Sequence, residues 1–89
     1  MITKHFIITE KGRRFGLTID SIIRDVDHIV CATQYDIHGQ SSLYANSYFK
    51  GNCRVGVEIS ADKEEEIDAF VKWRIDNGIL KEDCLCGYS

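Results

Sequence analysis

An alternating segment, Cys-Arg-Val-Gly-Val-Glu-Ile-Ser, occupies residues 53–60 of this 89-residue chain. Apolar side chains fall at every second position, which is the pattern of a strand with one buried face. The run before it, residues 43–49, is rich in aromatic and small polar residues and ends at Lys50-Gly51-Asn52. This spacing and loop composition predict an antiparallel hairpin between the two segments.

The register of this hairpin depends on the length of its loop. A two-residue loop would place Tyr44, Asn46 and Tyr48 against the apolar face. A three-residue loop pairs Phe49 with Cys53 and turns the opposite set of side chains inward. That inward set comprises Leu43, Ala45, Ser47 and Phe49. We predict the three-residue loop because it buries more apolar surface, and it leaves Tyr44, Asn46 and Tyr48 facing outward.

A second hairpin is predicted near the N-terminus, where residues 5–10 and 13–19 flank Lys11-Gly12. A two-residue turn at this position would pair apolar side chains on one face of the two segments. It would also bring opposite charges together at the tip.

Residues 19–30 fit two different structures. Their apolar side chains match a helical stripe, but they also continue the alternation of the preceding segment. The segment is rich in β-branched residues and aspartate, which are weak helix formers, so we prefer a strand followed by a turn and keep the helix as the alternative. A further strand is predicted over residues 29–37, with Cys31 and Tyr35 on one face.

A helix is predicted over residues 62–77. Asp62 is a suitable N-cap, with Glu65 at the capping-box position and acidic residues in the first turn. The buried stripe of this helix comprises Ile67, Phe70, Val71 and Ile75. Trp73 lies off the centre of that stripe, whereas Arg74 falls near it.

Together these segments predict an α+β fold for a single domain, residues 1–89, with a short tail at residues 79–89. Its antiparallel sheet has four to five strands, made of two hairpins and a connecting strand, and one C-terminal helix covers one face. Twelve Ile and five Val against four Leu favour a sheet protein. The predicted core comprises Phe6, Ile8, Phe15, Leu17, Ile29, Cys31, Val55, Val57, Ile59, Ile67, Phe70, Val71 and Ile75.

The formal net charge of −3 is unevenly distributed, with a local +3 over residues 1–18 and a local −4 over residues 61–89. Strong nucleic-acid binding is disfavoured by the overall acidity, although a basic cluster on the first hairpin makes it an alternative. That cluster comprises Lys4, Lys11, Arg13 and Arg14. No secretory leader or apolar run of membrane-spanning length is present, so we expect a cytoplasmic location and reduced thiols.

Four cysteines raise the question of a thiol site. Cys31 and Cys53 lie on the predicted inward faces of strands, where a free cysteine serves as a small apolar side chain. Cys84-Leu85-Cys86 is only a weak match to zinc-binding spacing. A zinc- or redox-linked site built from all four cysteines is therefore an alternative, and no cofactor or catalytic centre is predicted.

Surface composition is more informative than any catalytic motif. Tyrosines interspersed with small polar residues, an off-stripe tryptophan and an acidic helix start are typical of protein-contact surfaces. Six residues are predicted to touch the partner: Tyr35, Tyr44, Tyr48, Glu64, Glu65 and Trp73. We predict a non-enzymatic protein-binding module that occludes a larger protein, as small acidic inhibitors, immunity proteins and phage-encoded antagonists of host defence do. A homodimer through a sheet edge is a further possibility for its assembly.

Overall fold

The computed structural model describes residues 1–83. Its elements, in chain order, are β1 (Ile2–Ile8), α1 (Glu10–Phe15), α2 (Ile19–Thr33), β2 (Tyr44–Lys50), β3 (Cys53–Ala61), α3 (Glu64–Asp76) and β4 (Leu80–Glu82). The predicted α+β fold with an antiparallel sheet is confirmed, with four strands. The prediction of one C-terminal helix is incomplete, because the described residues contain three helices.

The sheet has the order β2-β3-β1-β4, and every neighbouring pair is antiparallel. Phe6 lies opposite Val57, and Ile8 lies opposite Leu80, so β1 is the central link between β3 and β4. The helical connection from β1 to β2 passes over β3, and the one from β3 to β4 passes over β1. This is the split β-α-β arrangement of ferredoxin-like folds. Within residues 1–83, no helix is long and apolar enough to cross a bilayer.

The core lies between one face of the sheet and the helices α2 and α3. Its buried apolar side chains are Phe6, Ile22, Val26, Leu43, Val57, Ile59, Ala61, Ile67, Phe70, Val71 and Leu80. These side chains come from the sheet and from both long helices, so α2 and α3 pack on the same face of the sheet. The opposite face carries polar side chains that bond across strands, such as Thr3 to Ser60 and His5 to Glu58.

The predicted N-terminal hairpin is wrong, because the chain enters α1 directly after β1. Thr9 is the N-cap: its hydroxyl accepts the Gly12 N–H at 3.0 Å and donates to the Gly78 carbonyl at 2.6 Å. Gly12 is needed for close packing rather than for a turn, since a Cβ there would lie 2.1 Å from the Ile79 carbonyl oxygen. Gly12 therefore does not mark the predicted turn but a close contact with a segment distant in sequence.

Residues 19–33 form a helix, so the preferred strand and turn and the predicted strand over residues 29–37 are both wrong. Thr18 and Ser21 form a reciprocal capping box at the start of α2. Ile22 and Val26, on the inner face of this helix, are fully buried. Burial of this apolar stripe and the cap outweigh the low intrinsic helix propensity of the β-branched residues.

The second hairpin is confirmed, but its register differs from the predicted one. Lys50 pairs with Cys53 across a two-residue loop, and a bulge between Tyr48 and Phe49 then shifts the pairing by one residue. Phe49 lies opposite Arg54 rather than Cys53. The bulge, which a pattern of alternation does not encode, lets the two-residue loop coexist with the predicted packing of Leu43 and Ala45 against the core. Phe49, which was also predicted to face inward, is 55% exposed.

The C-terminal helix is confirmed at Glu64–Asp76, with Lys63 rather than Asp62 as N-cap. Three predicted core residues, Phe15, Cys31 and Ile75, are instead exposed. Phe15 and Cys31 were assigned to strands that do not form. Ile75 lies on the predicted helix, but Arg74 occupies the buried position on α3 instead. The structure therefore places a guanidinium where an isoleucine was expected.

Candidate binding groove between α2 and α3

A surface groove of about 450 Å³ separates α2 from α3. Its lining residues are Asp25, His28 and Ile29 from α2, and Ala69, Phe70, Trp73 and Arg74 from α3. The lining combines apolar walls with a few polar groups, the composition usual for recognition sites. Among the predicted contact residues, only Trp73 belongs to it.

Arg74 forms the floor of the groove and is only 6% exposed. Its Nη2 donates to Asp25 Oδ2 at 2.9 Å, and its Nη1 donates to the Phe70 carbonyl at 2.6 Å. The guanidinium also lies over the rings of Phe70 and Trp73, 4.2 and 4.8 Å from their centroids. Its Nε has no hydrogen-bond partner among the described residues. The guanidinium therefore links α3 to α2 through Asp25 and also contacts the Trp73 ring.

Trp73 is 48% exposed and also borders a second hollow, of about 260 Å³, on its other side. That hollow is lined by Lys11, Phe15, Asn77 and Ile79 as well. Phe15 is 67% exposed. The indole thus borders two hollows. Phe15, a second exposed aromatic side chain, lines one of them, so α1 contributes to the same surface.

The helices around the groove are acidic. Together α2 and α3 carry eight acidic and three basic side chains, a net charge of −5, whereas the whole chain carries −3. The rest of the chain is therefore net positive by two charges. Lys4 and Arg54 pair with carboxylates of these helices, which leaves the helical layer with a net charge of −3 and still attractive to a cationic group.

The predicted tyrosines do not join Trp73 on one surface. Tyr44, which is 61% exposed, lies on β2 with its side chain directed away from the helices. Tyr48 is buried, and its hydroxyl donates to Asp83. Tyr35 is exposed in the segment after α2. Sequence alternation placed Tyr44 and Tyr48 correctly on one sheet face, but could not indicate that the second tyrosine is buried.

The acidic start of α3 is mainly structural. Glu64 and Asp68 both accept hydrogen bonds from Lys4, at 3.1 and 3.0 Å, which ties β1 to α3. These hydrogen bonds raise the pKa of Lys4 above its ordinary value, and the bond to Asp68 has the largest effect. Glu65 is exposed and remains available to a partner.

Glu66 anchors the loop between α2 and β2. Its carboxylate accepts bonds from the Ser42 N–H, the Ser42 hydroxyl and the Ser41 hydroxyl. Hydrogen bonding by Ser42 lowers the pKa of Glu66 below its ordinary value. The arrangement holds the loop against the N-terminal turn of α3, so this carboxylate has a structural role.

A polar cluster on the opposite sheet face links β4 to β2. Asp83 accepts from Tyr48 at 3.1 Å and pairs with Lys50 at 2.9 Å, and the bond from Lys50 lowers the pKa of the Asp83 carboxyl. The Tyr48 ring lies 4.5 Å from the ring of His5, which contacts Glu58 at 3.1 Å. These contacts join β1, β2 and β3 to the residue that follows β4.

The thiol alternative receives no support from the described residues. Cys31 and Cys53 are free and exposed, which corrects their predicted core position. Residues 1–83 contain no group of three potential metal-ligating side chains. Cys84 and Cys86 lie outside the described residues.

The basic cluster is also rearranged, because the hairpin that would have displayed it does not form. Lys4 is engaged by α3, and Arg14 pairs with Glu10 at 2.7 Å. Arg13 donates to the Ile8 carbonyl. Three of these four cations therefore have partners within the described residues.

No protein-family model, curated protein or solved structure matches this chain. The groove between α2 and α3 is therefore the feature from which a function is inferred. The pairing of Arg74 with Asp25 was missed from sequence because the two residues lie 49 positions apart. The only signal was the position of Arg74 near an otherwise apolar stripe.

Proposed function

We propose that this protein is a non-enzymatic protein-binding module that occludes a larger protein partner through the helical face around Trp73. One observation carries the proposal: a half-exposed tryptophan is held by a buried arginine between two surface hollows. Tryptophan and arginine are enriched at the energetic centres of protein interfaces.

The proposal is supported by the contact that restrains the indole, since the Arg74 guanidinium lies over its ring. A side chain that is already held in place loses little conformational freedom when a partner covers it. The Arg74 guanidinium lies over the rings of Phe70 and Trp73, while the Trp73 side chain remains accessible from the groove and from the hollow beside Phe15. A partner projection could therefore enter either hollow and cover the indole.

The test is affinity capture with tagged wild-type protein and two matched aromatic variants, from the cells in which the chain occurs naturally. Trp73→Ala removes the proposed contact, and Tyr44→Ala removes a comparably exposed aromatic side chain from the opposite sheet face. We expect Trp73→Ala to reduce the amount of a specific captured protein at least tenfold, and Tyr44→Ala to leave it unchanged.

Circular dichroism melts of both variants establish that each is folded at the capture temperature. Loss of capture with Tyr44→Ala but not with Trp73→Ala would place the contact on the sheet face and contradict the proposal. Equal capture by all three proteins would contradict it too. Phe15→Ala serves as a second probe of the same face if Trp73→Ala melts too low.

A further inference from the structure

We infer that the groove between α2 and α3 receives a positively charged side chain, a lysine or an arginine, from a basic segment of the partner protein. This inference rests on the proposed function and specifies the chemistry of its partner. It follows from how unequally the two charges in the groove are exposed.

The Asp25–Arg74 pair is neutral as a whole, but its two charges are not equally accessible. The Arg74 side chain is 7% exposed, whereas the Asp25 side chain is 45% exposed. A group entering the groove therefore meets the carboxylate first, while the guanidinium lies beneath it. Such an arrangement attracts a cation and disfavours a carboxylate or phosphate.

The apolar walls suit the stem of a long basic side chain. Ile29 and Trp73 flank the groove that Asp25 borders. Lysine and arginine place an aliphatic stem along such surface and keep the charged end at a polar group. The exposed indole adds a favourable contact for the cation itself.

The wider field acts in the same direction. Once Lys4 and Arg54, which pair with its carboxylates, are counted, the helical layer carries a net charge of −3, which attracts basic segments and repels acidic ones before contact. Because much of this attraction acts through solvent, binding should weaken as the salt concentration rises.

Trp73 is the only tryptophan of the chain, so its fluorescence reports directly on the groove. The probe is a synthetic peptide of alternating glycine and arginine, which itself has no fluorescence, and its counterpart has glutamate in place of arginine. We expect the arginine peptide to change the Trp73 emission in a saturable, salt-sensitive manner. The glutamate peptide should leave it unchanged.

A charge series at exposed His28, on the rim of the groove, tests the site while both residues of the Arg74–Asp25 pair stay in place. His28→Glu should tighten and His28→Lys should weaken binding of the arginine peptide, each by about fivefold relative to His28→Gln, as one unit charge at contact distance in water predicts. The matched series Asn46→Glu and Asn46→Lys, on the opposite sheet face, should change the affinity less than twofold.

Four outcomes would overturn the inference: no response to the arginine peptide, a response to the glutamate peptide, equal effects of the two charge series, or occupation of the groove by a second copy. The last would appear as concentration-dependent emission and mass in sedimentation without peptide. If the arginine peptide fails while Trp73→Ala still abolishes capture, the basic-chain inference is wrong and the contact site stands. If the peptide binds but capture is insensitive to Trp73→Ala, the proposed function is wrong instead.

Discussion

Replacing Asp25 by alanine should destabilise the protein far more than replacing its partner Arg74 by methionine. Asp25→Ala leaves a guanidinium buried without its carboxylate. Breaking a buried ion pair from one side costs about 3–5 kcal/mol. Because Asp25 itself is 45% exposed and water can reach its place, we expect the lower end of that range, about 3 kcal/mol.

Arg74→Met is the opposite case. Methionine fills most of the volume of the arginine stem and packs against Phe70, while Asp25 is left with access to water. We therefore expect a change of no more than about 1 kcal/mol, since an apolar side chain of similar volume often replaces a buried charge without loss. The double variant should behave like Arg74→Met alone, because no buried charge remains.

The assay is urea and thermal unfolding of the wild type, both single variants and the double variant, followed by circular dichroism. At about 4–8 °C per kcal/mol for a chain of this size, Asp25→Ala should lower the melting temperature by about 12–24 °C. If Arg74→Met costs as much stability as Asp25→Ala, or if the two single effects add in the double variant, then the loss in Asp25→Ala does not come from a buried, unpaired guanidinium.

Three further predictions concern the contacts that fix the fold. Gly12→Ala should cost about 3 kcal/mol in urea unfolding because its Cβ would collide with the Ile79 carbonyl; a wild-type midpoint would contradict this packing. Thr9→Ala should cost about 1 kcal/mol by removing the N-cap of α1, whereas Thr9→Ser should retain most of the stability in the same assay. The pKa of Glu66 is lowered in the folded state, so its stabilising effect is present above its ordinary pKa and is lost as the pH falls through the lowered value. Melting temperatures of wild type and Glu66→Gln should therefore differ at pH 7 and converge on acidification, and a gap that is independent of pH would contradict the role of this carboxylate.

Local pattern was sufficient for the second hairpin and the C-terminal helix. The strict alternation over residues 53–60 admits one buried face, and the acidic first turn marks the start of the helix at 64–76. Both signals lie within a few residues of the element that they predict. The hairpin register was missed because a single bulge, between Tyr48 and Phe49, changes the pairing without changing the alternation.

Contacts distant in sequence decided the regions that were predicted wrongly. Gly12 is buried against Ile79, so a residue pair read as a turn belongs to a helix packed on the other end of the chain. Residues 19–33 are helical because Ile22 and Val26 complete the core, despite their unfavourable helix propensity. Neither burial partner can be identified from the local sequence.

Only the part of the candidate site that depends on local pattern could be predicted from the sequence. The off-stripe position of Trp73 on a helix correctly indicated partial exposure. The groove itself depends on α2, which was assigned as strand and turn, and on the pairing of Asp25 with Arg74 across the two helices. A tyrosine-rich segment suggested a second contact surface, but β2 turns Tyr44 away from the helical face.

The most direct test of the central claim is fluorine NMR of the protein carrying 5-fluorotryptophan at position 73, with and without the captured partner. If the partner covers Trp73, we expect one resonance whose solvent isotope shift between H₂O and D₂O is present in the free protein and disappears in the complex. A stable complex in which the Trp73 resonance and its isotope shift are unchanged would show that the partner does not cover this side chain, and would contradict the account.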